Sequence, residues 1–346
     1  MPYRLSNRDK IDTFLGLCSV AAAALVYAAF LGPFRGQSGA DTYHHHIIQA
    51  VVKKVYVRHT STQGRIYQDF CHKRGIKPHF VSTDSGVEGF WIGDPSAKYV
   101  VVFFHGGGFA MDATKTYLDL WTRVQKELAD AGIATAWFNS MYSLTPHAAY
   151  PVQFREAVET LRYVLENPRR SPAQVLIAGD SAGGSLCLAV LSHMLHRSDD
   201  VPELVLDGPL KAAILLSPWV SFSQDWPSVA HNKEKDIDAQ EVTTRWSQLY
   251  LNGRASNNYI EAVDAPAEWW KGTQVEQVLV LAGADEVLID PIKLWTSKFR
   301  KFNPNTTLVV GENECHVAPL IWPMFGDSHE TEQERALKCW LLERLR

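Results

Sequence analysis

The sequence predicts an α/β fold: a mainly parallel central sheet with helices on both faces, a helical lid above it and one N-terminal transmembrane helix ahead of it. Three observations lead there. From Tyr99 onward, short apolar runs suited to buried strands alternate with segments of helical periodicity, as in a parallel sheet covered on both sides. Two of those runs pass directly into glycine-rich turns, Tyr99–Phe104 into His105-Gly106-Gly107-Gly108-Phe109 and Gln174–Ala178 into Gly179-Asp180-Ser181-Ala182-Gly183-Gly184. Thr13 to Leu31, finally, is uncharged and apolar, about 19 residues or about 28 Å of helix, close to the thickness of a bilayer core.

Taken in chain order, residues 1–34 read as the membrane anchor. A cleaved secretory leader fits less well, because its apolar core is usually about 7–15 residues and no small-x-small cleavage site follows Leu31. Arg4, Arg8 and Lys10 precede the run and only Arg35 follows it closely, which points the N-terminus to the cytosol. With the acceptor sequon Asn305-Thr306-Thr307, the expectation is a single-pass endoplasmic-reticulum protein with a lumenal catalytic domain. Residues 35–98 supply two helices, Tyr43–His59 with Ile47, Ile48, Val51, Val52 and Val55 on one face and Arg65–Arg74 ending at Gly75, then an edge hairpin over Phe80–Ile92.

Residues 99–346 carry the sheet. Strands are expected at Tyr99–Phe104, Ile133–Phe138, Val175–Ala178, Ala212–Ser217, Val275–Ala282 and Thr307–Val310. Helices are expected near Tyr117–Ala131, Phe154–Glu166, Gly183–His196, Ile292–Phe302 and Glu330–Leu345. The stretch of about 220–272 exceeds an ordinary connection, and Trp219, Phe222, Trp226, Trp246, Tyr250, Tyr259, Trp269 and Trp270 crowd it and its border. It reads as a lid giving apolar walls to a ligand, although for any one of these tryptophans packing the lid on the core is the favoured reading.

Composition removes several function classes. A chain of 346 residues, 46% of them hydrophobic, has material for one large α/β domain with a substantial core. Its net charge of −4 leaves no electrostatic footprint for nucleic acid. Cys18, Cys71, Cys187, Cys315 and Cys339 are dispersed, with neither metal spacing nor a disulfide framework. His44, His45 and His46 are consecutive, so on a helix they diverge, and they read as a solvated face.

Chemistry concentrates at the two glycine turns. A serine hydroxyl attacks at neutral pH only beside a base and near donors that receive negative charge. Gly179 and Gly183 clear a cramped turn around Ser181, the form of a nucleophile elbow, and leave the Ala182 N–H facing the space above it. Three glycines at the end of a strand cost chain entropy unless backbone must approach something closely. The Gly107 and Gly108 N–H groups are therefore the expected partners of Ala182 in an oxyanion hole, while His105 fixes the loop backbone. An elbow serine is followed along the chain by its acid and then its histidine. After Val275–Ala282 come Asp285, Glu286 and Asp290. Asp285 is favoured for its place at a strand's carboxyl end, Glu286 competes with it, and Asp290 reads as the cap of a helix starting near Pro291. His316, in the loop behind the last strand, is the expected base; Cys315 beside it lacks an elbow and reads as a small packing residue. His147, His193, His196 and His231 have no neighbouring constellation.

With these elements in view, the chain resembles the hormone-sensitive-lipase-like branch of the α/β-hydrolases, whose marks are a His-Gly-Gly-Gly loop and a Gly-Asp-Ser-Ala-Gly-Gly elbow. The resemblance runs from about Tyr99 to the C-terminus and includes Ser217-Pro218-Trp219. It departs at Tyr142-Ser143-Leu144-Thr145-Pro146-His147, where relatives have Tyr-Arg-Leu-Ala-Pro-Glu. It implies that the N-terminal helices help cover the site. The expected reaction is carboxylic-ester hydrolysis by Ser181, His316 and Asp285, with no metal or organic cofactor required. An aromatic lid beside an anchor suggests a small apolar ester partner, a short-acyl ester of a lipid, sterol or terpenoid, as in membrane-anchored fungal steryl-acetate deacetylase-type esterases, which the chain resembles. A natural-product enzyme of this fold (cleavage, acyl transfer or cyclisation) and a non-catalytic binder are the other readings.

Overall fold

The structure, a computed structural model, describes residues 63–166 and 170–346 throughout, with residues 40 and 42–52 and seven residues between 18 and 28. The expected membrane span falls largely outside the described residues, as does the expected first helix beyond Val52. No helix among the described residues is long and apolar enough to cross a membrane.

Eight strands form one sheet: β1 (Phe80–Ser82), β2 (Glu88–Ile92), β3 (Tyr99–Phe104), β4 (Thr135–Ser140), β5 (Val175–Asp180), β6 (Ala212–Leu216), β7 (Val278–Gly283) and β8 (Thr306–Gly311). Their spatial order is β1-β2-β4-β3-β5-β6-β7-β8. The expected hairpin β1–β2 pairs antiparallel and joins β4 antiparallel, and every other pairing is parallel. β7 begins at Val278, three residues later than its apolar run suggests, because Val275 makes only an isolated bridge to Leu210. The helices are α1 (Tyr43–Val52), α2 (Gln63–Arg74), α3 (Lys115–Asp130), α4 (Val152–Glu166), α5 (Ala182–Leu195), α6 (Pro227–Asn232), α7 (Gln240–Leu251), α8 (Ile289–Arg300), α9 (Ala318–Ile321) and α10 (Glu332–Arg344).

The period-2 alternation of each strand sorts the core into two layers. Val100, Val102, Ile177 and Val280 face one way, toward Phe154 of α4, Leu186 of α5 and Trp295 of α8. Val101, Leu176, Ile214 and Leu279 face the other, toward Trp121 of α3 and Trp340 of α10. Because both faces are covered, the central strands are buried at every position, which is why they read as continuous apolar runs. α5 lies deep enough that its residues are buried from Ala182 to His193, and its apolar composition all round follows from that.

The parallel arrangement sets the site. Strands β3, β5, β6, β7 and β8 are neighbours and end at the same edge, so the segments leaving them, 105–109, 181–184, 217–219, 284–288 and 312–317, share one rim. The layer opposite α5 is fastened by Trp121, whose ring stacks on Trp137 at 4.4 Å and meets Phe103 edge-on at 4.7 Å. Arg123, two residues on, donates twice to the Glu334 carboxylate, at 3.0 and 2.9 Å, joining α3 to α10. Truncating the fully buried indole in Trp121→Ala is expected to cost about 3–5 kcal/mol of stability. Urea unfolding checks this, with Trp121→Phe expected to lose clearly less.

Candidate active site

Ser181 occupies the turn between β5 and α5 with φ 50° and ψ −119°, a conformation that non-glycine residues adopt only under constraint. The constraint is visible on both sides. A Cβ at Gly179 would run into the backbone of Gly183, and one at Gly183 would run into the Phe104 carbonyl, so β5, α5 and the end of β3 approach closer than side chains allow. The Ser181 N–H donates to the Leu216 carbonyl at 2.9 Å, and its own carbonyl accepts from the Trp219 N–H at 3.0 Å. Held in this way, the side chain opens onto a cavity of about 180 Å³. Among the described residues its hydroxyl has no hydrogen-bond partner, a common state of a nucleophile before substrate arrives.

The glycine loop lies opposite. Gly107 at φ 90° and Gly108 at φ 59° line the cavity, and among the described residues neither N–H is taken by a protein acceptor. Ala182 is the first residue of α5, so its N–H belongs to the unsatisfied amides of a helix N-terminus. The three expected oxyanion donors therefore come together around Ser181. Their scaffold is Asp180, which accepts from the Gly106 N–H at 2.8 Å and from the Tyr117 hydroxyl at 2.9 Å. Burial pushes the Asp180 carboxyl up to about 7, against the pull of those two hydrogen bonds. His105 does fix the loop: its Nδ1–H donates to the Gly106 carbonyl at 2.8 Å, and its ring stacks on Tyr142 at 4.4 Å. Burial lowers its pKa, keeping it neutral.

His316 reaches the same cavity from the loop after β8. Its partner corrects the expectation. Glu286, not Asp285, meets the imidazole, with Oε2 2.9 Å from Nδ1, while Oε1 accepts from the Gly283 N–H at 3.0 Å. The reason is the turn after β7. The Asp285 N–H donates to the Glu314 carbonyl at 3.0 Å, and the Asp285 carboxylate pairs with Lys235 Nζ at 3.1 Å. Glu286 then faces the rim, fully buried, and its extra methylene spans the gap. Asp290 is no cap either: Leu288 holds that position, and the Asp290 carboxylate accepts from the Ser228 N–H at 2.8 Å.

Two residues the sequence left unmarked complete the arrangement. Asp236, wholly buried, accepts from the His316 N–H at 2.9 Å, the Ile237 N–H at 2.7 Å and the Val287 N–H at 2.7 Å, tying the histidine loop and the acid loop to one strap of the lid. Asp238, two residues on, puts Oδ2 3.7 Å from His316 Nε2. Burial alone would lower the histidine's pKa, but Asp238, Glu286 and Asp236 outweigh it and raise the imidazole above the ordinary histidine range. Burial and the neighbouring Asp238 push Asp236 up to about 7, opposed by His316. Cys315 is a buried packing residue, its thiol pushed well up by burial.

The aromatics of the segment expected to form a lid mostly face inward. Of its eight expected aromatics Trp246 lines the cavity, against Gly108. Tyr250 stacks on Phe109 at 3.7 Å, Trp269 on His196 at 3.7 Å, and Trp270 packs against Phe299. The cavity's apolar wall comes instead from Val242 and from Leu320, Ile321, Met324 and Phe325 around α9. The first helix closes against this wall, and it is not the solvated histidine face expected: His44 is exposed, but His46 is buried and His45 stacks on Trp322 at 4.0 Å and bonds the Asp327 carboxylate at 3.0 Å. Ser143 donates its N–H and hydroxyl to Glu156 at 2.7 and 2.6 Å.

Residues 101–320 match a protein-family model described as the alpha/beta hydrolase fold. The chain belongs to this family. Among curated α/β-hydrolase relatives, it is 29% identical over 168 residues to an arylacetamide deacetylase of Bos taurus, covering 46% of this chain and 40% of that protein. It is 26% identical over 199 residues to steryl acetyl hydrolase 1 of Saccharomyces cerevisiae, covering 56% of this chain and 42% of the relative. The chain thus spans less than half the length of either. An acetyl-hydrolase of Streptomyces hygroscopicus is 27% identical over 220 residues, 62% of this chain and 67% of its own. In structure, the fold matches an esterase from the bacterial hormone-sensitive lipase family with a TM-score of 0.67 at 21% identity, over 89% of this chain and all of that one.

The pairing of His316 has a direct spectroscopic consequence. A far-downfield proton resonance from His316 Nδ1–H is expected from its 2.9 Å bond to the buried Glu286 carboxylate, with the imidazole titrating above the ordinary histidine range. Glu286→Gln should abolish or strongly shift that resonance, and Asp285→Asn should leave it in place.

Proposed function

We propose that this α/β-hydrolase is a serine-dependent carboxylic-ester hydrolase. Ser181 is the nucleophile, His316 takes and returns its proton, and Glu286 holds the imidazole and stabilises it when charged. The N–H groups of Gly107, Gly108 and Ala182 receive the oxyanion, and water resolves the acyl-enzyme. One observation carries the assignment: a serine held at φ 50° on the elbow opens into the same cavity as a histidine whose far nitrogen is bonded to a fully buried carboxylate.

In this reading the substrate is a short-acyl, acetyl-type ester on an apolar alcohol of sterol or terpenoid character. A cavity of about 180 Å³ suits a small acyl group, and the wall of Val242, Leu320 and Ile321 suits an apolar partner. Relatives named acetyl-hydrolase, steryl acetyl hydrolase 1 and arylacetamide deacetylase support the acetyl preference. The uncharged run from Thr13 to Leu31 supports placing this chemistry at a membrane, with the catalytic domain on the lumenal side.

A fluorophosphonate probe is expected to label the protein and to fail on Ser181→Ala. Hydrolysis of p-nitrophenyl acetate should fall by on the order of 10⁶-fold in Ser181→Ala and by on the order of 10⁴-fold in Glu286→Gln, with Asp285→Asn within a few-fold of the parent. Wild-type turnover by Ser181→Ala would end the assignment. Across acetate, butyrate and octanoate esters, rates should decline with acyl length; a preference for octanoate would reject the short-acyl reading alone.

A further inference from the structure

Two cavities meet at one side chain. The first is the catalytic cavity, where Ser181 and His316 lie beside the apolar wall of Val242, Leu320 and Ile321. The second, of about 240 Å³, lies on the outer side of the strap between α6 and α7. Gln224, Lys233, Gln240 and Thr243 give it a polar lining, and the exposed Ala230, Lys233 and Gln240 open it to solvent. The chain between the two alternates in direction: Ile237, Ala239 and Val242 turn to the catalytic cavity, Gln240 and Thr243 to the outer one. Among the described residues Asp238 alone lines both. Its carboxylate is mostly buried and has no protein hydrogen-bond donor among the described residues, its ionic neighbour being the His316 imidazole on the inner side.

The two cavities suit different molecules. Ester hydrolysis calls first for an apolar substrate and then for water, and both must reach His316 Nε2, the nitrogen that takes each proton in turn. Water moving along Val242, Leu320 and Ile321 forfeits hydrogen bonds, whereas the amides, hydroxyl and charged groups of the outer pocket supply them. A water molecule takes up about 30 Å³ in the liquid, so the outer pocket has room for several. Its shape is also fixed. Asp236, Asn232 and Ser228 fasten the strap to the loops after β7 and β8, so the outer pocket persists when the apolar contacts at the mouth part.

We propose that the outer pocket is the water inlet for deacylation: water passes from it along the Asp238 carboxylate to His316, while ester and alcohol come and go through the apolar mouth. The inference rests on the serine-hydrolase reading above and concerns the second half of its cycle. The water oxygen bonds to the carbonyl carbon of the acyl-enzyme as one of its protons passes to Nε2. The bond from that carbon to Ser181 Oγ then breaks as Nε2 returns the proton to Oγ, and the carboxylic acid leaves. Because the acceptors arrive from opposite sides, the acyl-enzyme divides between hydrolysis, fed through the outer pocket, and transfer to an alcohol, fed through the mouth.

That division is the test. The full chain is supplied with p-nitrophenyl acetate and n-butanol, and the ratio of butyl acetate to acetate is measured. Both products come from one acyl-enzyme and both use His316, so a change in acylation, in the titration of His316 or in the amount of folded protein cancels. Ala230→Trp, which fills the outer pocket from its exposed rim, should raise the ratio about tenfold or more by slowing hydrolysis alone. Asp238→Leu replaces the shared carboxylate with an apolar side chain of similar size; it should raise the ratio too, and it serves if the tryptophan variant does not fold. Met324→Trp, at the exposed edge of the mouth, should lower the ratio by obstructing the alcohol. A ratio unmoved by both Ala230→Trp and Asp238→Leu, or raised equally by Met324→Trp, overturns the proposal while ester turnover stands. Absence of ester turnover in the wild type instead removes the hydrolase reading beneath it.

Discussion

A buried carboxylate with three backbone N–H partners holds the far half of this site together. Asp236 sits on the lid strap, yet its hydrogen bonds go to His316, Val287 and its own neighbour Ile237, so the loops after β7 and β8 are positioned through a residue that belongs to neither. Burying an unpaired charge would cost several kcal/mol, and three donors aimed at one acceptor offset it. Around it the strap adds further ties. Asn232 donates to the carbonyls of Ala284 and Glu286 at 3.1 and 2.9 Å, and the Ser228 hydroxyl donates to the Val287 carbonyl at 2.6 Å. Glu286 can face His316 because its backbone is held in this way on the side away from the sheet.

The near half is built by contact, without a network. β5 and α5 cross the end of β3 so closely that only glycine fits at 179 and 183, and this proximity puts the amides of the glycine loop over Ser181. The two halves follow different physics and were unequally legible. The elbow and the glycine loop are written in residues whose only virtue is the lack of a side chain, and such positions stand out in a sequence. The strands stand out equally, because burial on both faces turns β3, β5 and β7 into continuous apolar runs, and the parallel order then brings Ser181 and His316 to one rim.

The carboxylate that meets His316 lies one residue beyond the expected one, and the difference is instructive. Asp285 and Glu286 are adjacent carboxylates after the same strand, and composition favours neither decisively. What separates them is the hydrogen bond from the Asp285 N–H to the Glu314 carbonyl, a contact between segments 29 residues apart, together with the pairing of the Asp285 carboxylate with Lys235. No local pattern encodes either. Asp236 and Asp238 were invisible for a related reason: they lie in a short connection between α6 and α7 with no periodicity, where acidic residues ordinarily mean solvent. The lid aromatics show the converse. Their density carries no direction, which is a tertiary property: Trp246 is the member that turns to the cavity, while Tyr250 and Trp270 pack inward.

These ties constrain how the lid can move. A cover that swung away as a unit would break the Asp236 bonds to His316 and Val287 and those of Asn232 and Ser228 to the acid loop, exposing buried groups at about 1–3 kcal/mol each. It would also unmake the Glu286–His316 geometry it protects, so the strap from Pro227 to Ala239 behaves as part of the rim and not as a gate. The remaining cover is joined differently. Trp246 of α7 lies on Gly108 through apolar contact, and α1 is held at its visible polar points by the His45–Asp327 bond, the His45–Trp322 stack and the Gln49 side chain on the Lys235 carbonyl. Those contacts can slide or part without stranding a buried charge. Access for a ligand is therefore expected between α1, α7 and the α9 segment, over the wall of Leu320, Ile321 and Met324, with the strap staying in place beneath it. The division has a physical logic: where geometry must be kept to a few tenths of an ångström the chain uses buried hydrogen bonds, and where passage is needed it uses apolar surfaces that re-form at little cost.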